Sequence, residues 1–298
     1  MSSDRQSTRF AGPLCVAAAM GLTGTTGTAQ ALGPDDVDPT AIGILRLLIG
    51  GPGLVALSAR QLLASHRAAG SLPVRPMLVA MSAMSAYQPC FFGGTARSGV
   101  AVGTIVTMAS APLFAGILEP LLGRDRPDLR WCLTTSVAVV GVVLVVDPSR
   151  GADGGATGPL LSLGAGLAYA AFAHATKEVI AVYPPTAVMG VALTGAGLAL
   201  APALIVVDLD WLATGRGAGA ALHLGLVATT LAYVLYGRGL AQVPVAETTT
   251  LSLVEPLVAA ILGLAVLGEE FSGSMAVGAL LVAGALLFVG SSRRATSS

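Results

Sequence analysis

The sequence predicts an all-α integral membrane protein with ten transmembrane helices, arranged as two inverted five-helix repeats with both termini in the cytoplasm. Three observations lead to this fold class: the scarcity of charged residues, ten apolar segments separated by short polar stretches, and motifs of the first half that recur in register in the second.

Composition makes lipid the main solvent of this chain. Of its 298 residues, 54% are hydrophobic and only 11% are charged, against about 25% charged residues in a typical soluble domain. The formal net charge is zero, which argues against a nucleic-acid partner because such binding depends on cationic residues. The three cysteines lack metal-ligand spacing and no nucleotide-binding motif is visible, so we expect no cofactor.

Short polar segments divide the sequence into ten apolar stretches, which we interpret as transmembrane spans. Each must be a helix, because backbone groups inside lipid must form their hydrogen bonds within their own segment. The segments are 11–31, 39–60, 76–95, 99–122, 131–147, 158–178, 185–207, 218–238, 244–267 and 273–291. The first ends in Ala29-Gln30-Ala31, like a secretory signal. It is long for a signal and carries a threonine stripe, so we interpret it as a span that is retained.

Basic residues predict the orientation. With the N-terminus in the cytoplasm, 12 of the 16 Lys and Arg residues fall in cytoplasmic segments, as the positive-inside rule requires. The predicted cytoplasmic tails are residues 1–10 and 292–298, and the linker 148–157 lies outside. The expected location is the cytoplasmic membrane, with the lipid bilayer as partner.

Four features of the first half recur 144 to 146 positions later. They are Gly12-Pro13-Leu14 with Gly158-Pro159-Leu160, Pro39-Thr40-Ala41 with Pro185-Thr186-Ala187, Pro112 with Pro256, and Gly123 with Gly268. The repeats are therefore residues 11–147 and 158–291. Five spans per repeat make the second copy enter the membrane in the opposite direction. Inverted repeats of this kind place a substrate site near the bilayer midplane and alternate its access.

Several motifs resemble those of the drug/metabolite transporter superfamily, specifically its EamA-type ten-helix members. They are Leu45-Arg46-Leu47, Pro112, the run from Leu231 to Tyr236 leading to Ala246, and Ser252-Leu253-Val254-Glu255-Pro256 followed by Gly268-Glu269. The resemblance covers about residues 11–291. It implies a secondary transporter, not an enzyme, that moves a small polar metabolite across the membrane by alternating access, and we expect export of an amino-acid-like compound. The motifs do not distinguish among amino acids, nucleosides and sugars.

Two charged residues inside predicted spans are the leading site candidates, because burying a charge in a membrane is expensive. Glu255 lies ten residues into its span, about 15 Å deep, and Pro256 bends the helix beside it. Its carboxylate can bind a substrate amine or take up a coupling proton. Arg46 can hold a substrate carboxylate bidentately. The two can equally pair with each other.

Polar and aromatic residues in neighbouring spans complete the predicted substrate site, and two prolines are expected to bend their helices. The polar and aromatic candidates are Thr25, Thr26, Tyr87, Gln88, Tyr169 and Tyr233, and the helix-bending residues are Pro112 and Pro256. Helix-to-helix hydrogen bonding is an equally good interpretation of Gln88. Glu119 and Glu247 lie nearer the cytoplasmic ends of their spans and are interpreted as interfacial.

Two rival functions compete with transport. A passive channel or scaffold predicts flux that is insensitive to counter-substrate and to Glu255→Gln. An intramembrane hydrolase has its best support in Ala96-Arg97-Ser98-Gly99, a near match to a serine-protease motif, but its serine falls at a span edge and no histidine completes a dyad.

Overall fold

The structure is a computed structural model that describes residues 2–34, 37–124, 126–146, 155–268 and 272–291. All regular secondary structure in these ranges is helical. Most of the predicted outer linker and the whole predicted C-terminal tail lie outside the described residues.

Helices of the first half coincide with the first five predicted spans. They are α1 (Ser2–Thr23), α2 (Thr26–Ala31), α3 (Pro39–Ala69), α4 (Val74–Ser98), α5 (Val100–Leu121) and α6 (Leu129–Val146).

Helices of the second half coincide with the other five. They are α7 (Thr157–Ile180), α8 (Pro185–Leu200), α9 (Gly215–Leu222), α10 (Ala232–Gln242), α11 (Val245–Leu251), α12 (Val254–Val266) and α13 (Gly273–Ser291). Two 3₁₀ segments, Ala201–Val206 and Asp210–Ala213, follow α8, and a π-helical segment, His223–Leu231, joins α9 to α10.

Three of the differences from the sequence prediction lie in the first three helices. Residues 2–10, predicted as a tail, continue α1, and the predicted first span is interrupted at Gly24-Thr25. The helix that begins at Pro39 extends nine residues beyond the predicted end at 60, to Ala69. Its extension is rich in Ala, Leu, Gln and Arg, which favour helix even where their polarity suggests a loop.

Large apolar side chains cover much of the outer surface. Exposed examples on several helices are Leu57, Leu133, Leu280 and Leu287. Within the described residues, five helical stretches are long and apolar enough to cross a membrane, namely Pro39–Ala68, Val102–Leu121, Pro185–Val206, Gly215–Gln242 and Val245–Val266, and shorter apolar helices accompany them. This surface suits lipid, not water, as the solvent. The full count of ten spans and the orientation of the termini stay predictions.

Interior packing relies on small residues. At Gly51 of α3, an added Cβ would lie 2.5 Å from the backbone nitrogen of Thr194 in α8, so only glycine permits this approach of the two backbones. Small residues allow close helix contact where no water is available to drive association. The α3–α8 pair therefore forms a tightly packed centre of the bundle, and α4 packs along α7 beside it.

Candidate functional site

A central cavity of about 270 Å³ lies among α1, α2, α3, α4, α5, α7, α10 and the α11–α12 junction. It extends to the end of the bundle where α2 finishes and α3 begins, because Gln30 and Pro39 are among its lining residues. Six of the predicted substrate-binding residues line it: Arg46, Glu255, Tyr87, Tyr169, Tyr233 and Thr26. Residues distant in sequence thus converge on one space.

Glu255 reaches the cavity because its helix is interrupted. Pro256 has no N–H to bond the carbonyl of Ser252 four residues earlier, and its ring would clash with that carbonyl in a continuous helix. The chain instead turns at Ser252-Leu253, where the N–H of Glu255 donates to the Ser252 carbonyl over 3.0 Å. Glu255 then occupies the first turn of α12, where the partial positive charge of a helix N-terminus favours a carboxylate.

The interruption in the first predicted span faces the one beside Glu255. Thr23, the last residue of α1, donates from Oγ1 to Glu255 Oε2 over 3.0 Å. At the adjacent Gly24, an added Cβ would lie 2.9 Å from the Glu255 carbonyl oxygen. Two broken helices therefore meet with their backbones in close contact, and a threonine hydroxyl orients the carboxylate.

Arg46 lies about two turns into α3 and faces the same cavity. Its buried Nε has no hydrogen-bond partner among the described residues. The guanidinium is near enough to Glu255 and Tyr233 to interact electrostatically. Within the described part of the chain, however, it forms no ion pair with Glu255 at the 4.0 Å limit. The two opposite charges thus face the same cavity without forming a contact ion pair.

Aromatic rings form one wall of the cavity. Tyr87 stacks on Phe91 with ring centroids 5.6 Å apart and meets Tyr169 at 6.3 Å. Tyr233 and Tyr236 continue the cluster at 5.6 Å from each other. These rings present both an apolar surface and hydroxyl groups, which is typical of small-molecule sites.

Two predicted residues lie behind the cavity wall. Gln88 is 2% exposed, and its side-chain nitrogen contacts Met84 Sδ at 3.7 Å. Thr25 contacts Nε2 of His223 over 2.9 Å and donates to the Leu22 carbonyl. Thr25 therefore connects two elements, whereas the Gln88 contact stays within α4, and neither residue is among the lining residues of the central space.

The two prolines predicted to bend their helices lie in different local structure. Pro256 accompanies an interruption between Leu251 and Val254, whereas α5 runs without interruption through Pro112 from Val100 to Leu121. Of these two proline-containing helices, only the one with Pro256 therefore exposes a broken end to the cavity.

Sequence reasoning missed two hydroxyl groups of the site. One is Thr23, and the other is Ser252, which lines the cavity and hydrogen-bonds the Tyr169 hydroxyl over 2.8 Å. Ser252 belongs to the motif Ser252-Leu253-Val254-Glu255-Pro256, and its position one turn before Pro256 could have identified it as a site residue. Serine and threonine are frequent in membrane helices, so nothing in the sequence distinguished Thr23.

Polar contacts join three elements at the opposite end of the bundle. Glu119 Oε1 accepts the Ala246 N–H over 3.2 Å, and Lys177 Nζ donates to the carbonyls of Leu240 and Val243. These contacts tie α5 and α7 to the α10–α11 junction. They border a charged vestibule of about 770 Å³, and within the described ranges the two cavities share no lining residue.

The sequence matches the EamA-like transporter family over residues 10–147 and again over residues 156–291. The chain belongs to the EamA-like transporter family. The resemblance seen in the motifs is thereby confirmed, together with membership of the drug/metabolite transporter superfamily. This EamA-like protein is a multi-pass membrane transporter, and a small molecule is its implied substrate.

Relatives of this EamA-like transporter are named as transporters. "Uncharacterized transporter YwfM" of Bacillus subtilis (strain 168) is 37% identical over 91% of this chain and 90% of its own length. A "Probable terminal-alkyne amino-acid exporter" of Streptantibioticus cattleyicolor is 27% identical over 83% of this chain and 88% of its own. A crystal structure at 18% identity superimposes with a TM-score of 0.79 over 93% of this chain and 95% of the other, which shows a shared fold.

Proposed function

We propose that this protein is a secondary transporter that exports a small amino-acid-like zwitterion across the cytoplasmic membrane by alternating access. One observation carries the proposal: Arg46 and Glu255 face the same cavity and form no contact ion pair at 4.0 Å within the described residues. Each charge is thus left to an opposite charge on a ligand.

The chemistry of the cavity suits such a ligand. A guanidinium binds a carboxylate through two parallel hydrogen bonds, and a carboxylate accepts hydrogen bonds from an ammonium group. The aromatic wall offers apolar surface to the remainder of the molecule. A volume of about 270 Å³ lies just under the range of about 300–1,000 Å³ usual for ligand pockets, which favours a single small metabolite.

Contacts between the halves support the two inverted repeats, 11–147 and 158–291. By sequence offset, α1–α2 corresponds to α7, α3 to α8, α4 to α9–α10, α5 to α11–α12 and α6 to α13. Under this correspondence, the contact between α4 and α7 is equivalent to the contact between α10 and α1. The contact between α5 and α7 is likewise equivalent to the contacts of α11 and α12 with α1. The pairs α3–α8, α5–α11 and α6–α13 map onto themselves. Exchanging the halves preserves this scheme, as a twofold axis requires.

The glycines that end two equivalent helices add to this support. Gly123 follows α5 with φ +71 and Gly268 follows α12 with φ +69, a left-handed conformation that favours glycine at a helix end. Ten spans with cytoplasmic termini agree with this repeat and with the basic residues. In that orientation the cavity faces outward, and the polar contacts of Glu119 and Lys177 close the cytoplasmic side.

The name of the Streptantibioticus relative supports an amino-acid-like substrate and the outward direction. A passive channel would need a continuous path. The two separate cavities favour a carrier with an internal barrier instead.

Counterflow into proteoliposomes tests the proposal. Vesicles loaded with a panel of unlabelled amino acids should take up a labelled amino acid faster when their content is a substrate. Glu255→Gln and Arg46→Gln should each lower kcat/KM by about tenfold to a hundredfold, because each removes a charge-assisted hydrogen bond of about 1.5–3 kcal/mol.

Matched controls are available for both charges. Glu178 and Arg97 are exposed and lie outside the central cavity, so Glu178→Gln and Arg97→Gln should transport normally. Normal transport by both site variants would refute the proposed site. Flux that ignores the counter-substrate and the Glu255 variant would favour a channel.

A further inference from the structure

A groove of about 640 Å³ lies on the outer surface between α6 and α13, away from the central cavity. Apolar residues and glycine form most of its wall, including Leu133, Val137 and Gly284, and Arg130 lies at one end. From Arg130 to Val137 the groove follows α6 for about 10 Å. It is a trough with one cation at its end and apolar surface along its length.

Arg130 is positioned by an aromatic ring. Its guanidinium carbon lies 4.2 Å from the centroid of the Phe288 ring, a cation–π arrangement that covers one face of the guanidinium and leaves its edge available to an anion. Its buried Nε has no hydrogen-bond partner within the described residues. Among the described residues, no acidic side chain lines the groove and no carboxylate lies within 4.0 Å of the Arg130 guanidinium.

The position of Arg130 along its helix favours the binding of an anion beside it. It is the second residue of α6, and a cation in the first turn adds to the positive end of the helix dipole. The nearby Asp128 uses Oδ1 to accept the Trp131 N–H over 2.7 Å. An unpaired cation therefore remains where an apolar helix leaves the membrane.

We propose that this groove binds an anionic phospholipid, with the phosphate on Arg130 and an acyl chain along the surface of α6 and α13. Arginine binds phosphate through two parallel hydrogen bonds, and Leu129 and Leu287, 74% and 76% exposed, provide apolar surface beside it. A lipid is the occupant whose charge and apolar length match both parts of the trough.

A second copy of the chain fits the groove less well. Packing two copies by this face around a twofold axis along the membrane normal would place equivalent residues at equal depth. The two Arg130 side chains would then approach each other without a counter-charge, and such contacts are unfavourable. Arg130, the one cation among the described residues that line the groove, thus favours lipid over self-association.

Native mass spectrometry of the purified full-length protein, with thermal unfolding in detergent, tests the site. Phosphatidylglycerol should bind and raise Tm, whereas phosphatidylcholine with the same acyl chains and inorganic phosphate should not. Arg130→Gln should weaken phosphatidylglycerol binding about tenfold, since it removes a charge-assisted hydrogen bond. Arg75→Gln is the control, because Arg75 is likewise the second residue of its helix but is exposed and lies outside the groove.

A second variant separates lipid binding from folding. At Gly284, an added Cβ meets nothing within 4 Å, so Gly284→Leu should fold while its side chain fills the groove and displaces the acyl chain. Gly21→Leu, at another open position, should bind lipid normally. The proposal is overturned if the two lipids bind equally, if neither groove variant loses phosphatidylglycerol, or if these variants change the oligomeric state while lipid binding is unaltered.

Discussion

The hydroxyl of Thr23 donates a hydrogen bond to the carboxylate of Glu255 across 3.0 Å, joining the end of α1 to the start of α12. These residues are 232 positions apart in sequence, and each stands at an interruption of its helix. The bond orients the carboxylate toward the cavity and couples the two predicted repeats at the proposed substrate site.

Removing this bond should weaken transport without unfolding the protein. Thr23→Val keeps the side-chain shape but leaves one carboxylate oxygen without its donor, so we expect kcat/KM to fall about tenfold, the effect of losing a hydrogen bond to a charged group. Uptake by proteoliposomes measures it. Thr23→Ser should restore most of the rate and Thr28→Val, outside the cavity lining, should have none of this effect. Equal rates for Thr23→Val and the wild type would contradict the orienting role.

The Tyr169 hydroxyl and Ser252 should act as one unit. They share a 2.8 Å hydrogen bond at the cavity wall, so Tyr169→Phe and Ser252→Ala each remove the same contact. We expect the double variant to lose no more transport than the worse single variant, which a double-mutant cycle measures as a coupling of about 0.5–3 kcal/mol. Strictly additive losses would show that the two groups act independently.

Glu119 should stabilise the protein more than an exposed ion pair does. It is 9% exposed and accepts the backbone N–H of Ala246, so Glu119→Ala leaves a buried donor unpaired and should lower the free energy of unfolding by about 1–3 kcal/mol. The control is Glu178→Ala, because the side chains of Arg124 and Glu178 are 31% and 48% exposed. Exposed pairs contribute at most about 1 kcal/mol. Unfolding in detergent compares the two, and a larger loss for Glu178→Ala would refute the ranking.

Gly51 should tolerate no side chain. A Cβ there would lie 2.5 Å from the Thr194 backbone nitrogen and 2.7 Å from its hydroxyl oxygen, so Gly51→Ala must separate α3 from α8. Overpacking of this kind typically destabilises by about 1–3 kcal/mol, and we expect a lower Tm. Gly21→Ala is the matched helical control in open space, where alanine should be neutral or stabilising. Similar Tm values for both variants would contradict the close α3–α8 approach.

The sequence predicted the parts of the site that stand out chemically. A charge within an apolar segment is conspicuous, and both Arg46 and Glu255 face the central cavity. Thr23 and Ser252 were missed because many serines and threonines occur in these spans, and helix rotation decides which of them face the cavity. Gln88, a polar residue within an apolar segment, was as conspicuous as Arg46, yet its side chain is buried and does not line the cavity.

Helix interruptions were only partly predictable for a related reason. A proline removes one backbone hydrogen bond, but the surrounding packing decides whether the helix opens. Pro256 accompanies a break after Leu251, while α5 continues through Pro112. No proline stands beside the interruption at Gly24-Thr25; there the close approach of the Glu255 backbone coincides with the break.

The facing but unpaired Arg46 and Glu255 have an electrical consequence. One guanidinium and one carboxylate together bring no net charge into the cavity, and a bound zwitterion adds none. A membrane voltage does work of about 2.3 kcal/mol per elementary charge per 100 mV, so it would exert almost no net force on this site, empty or loaded. With the zwitterionic substrate proposed above and no proton coupled to it, the carrier's cycle would then be driven by the substrate gradient alone, at any membrane potential.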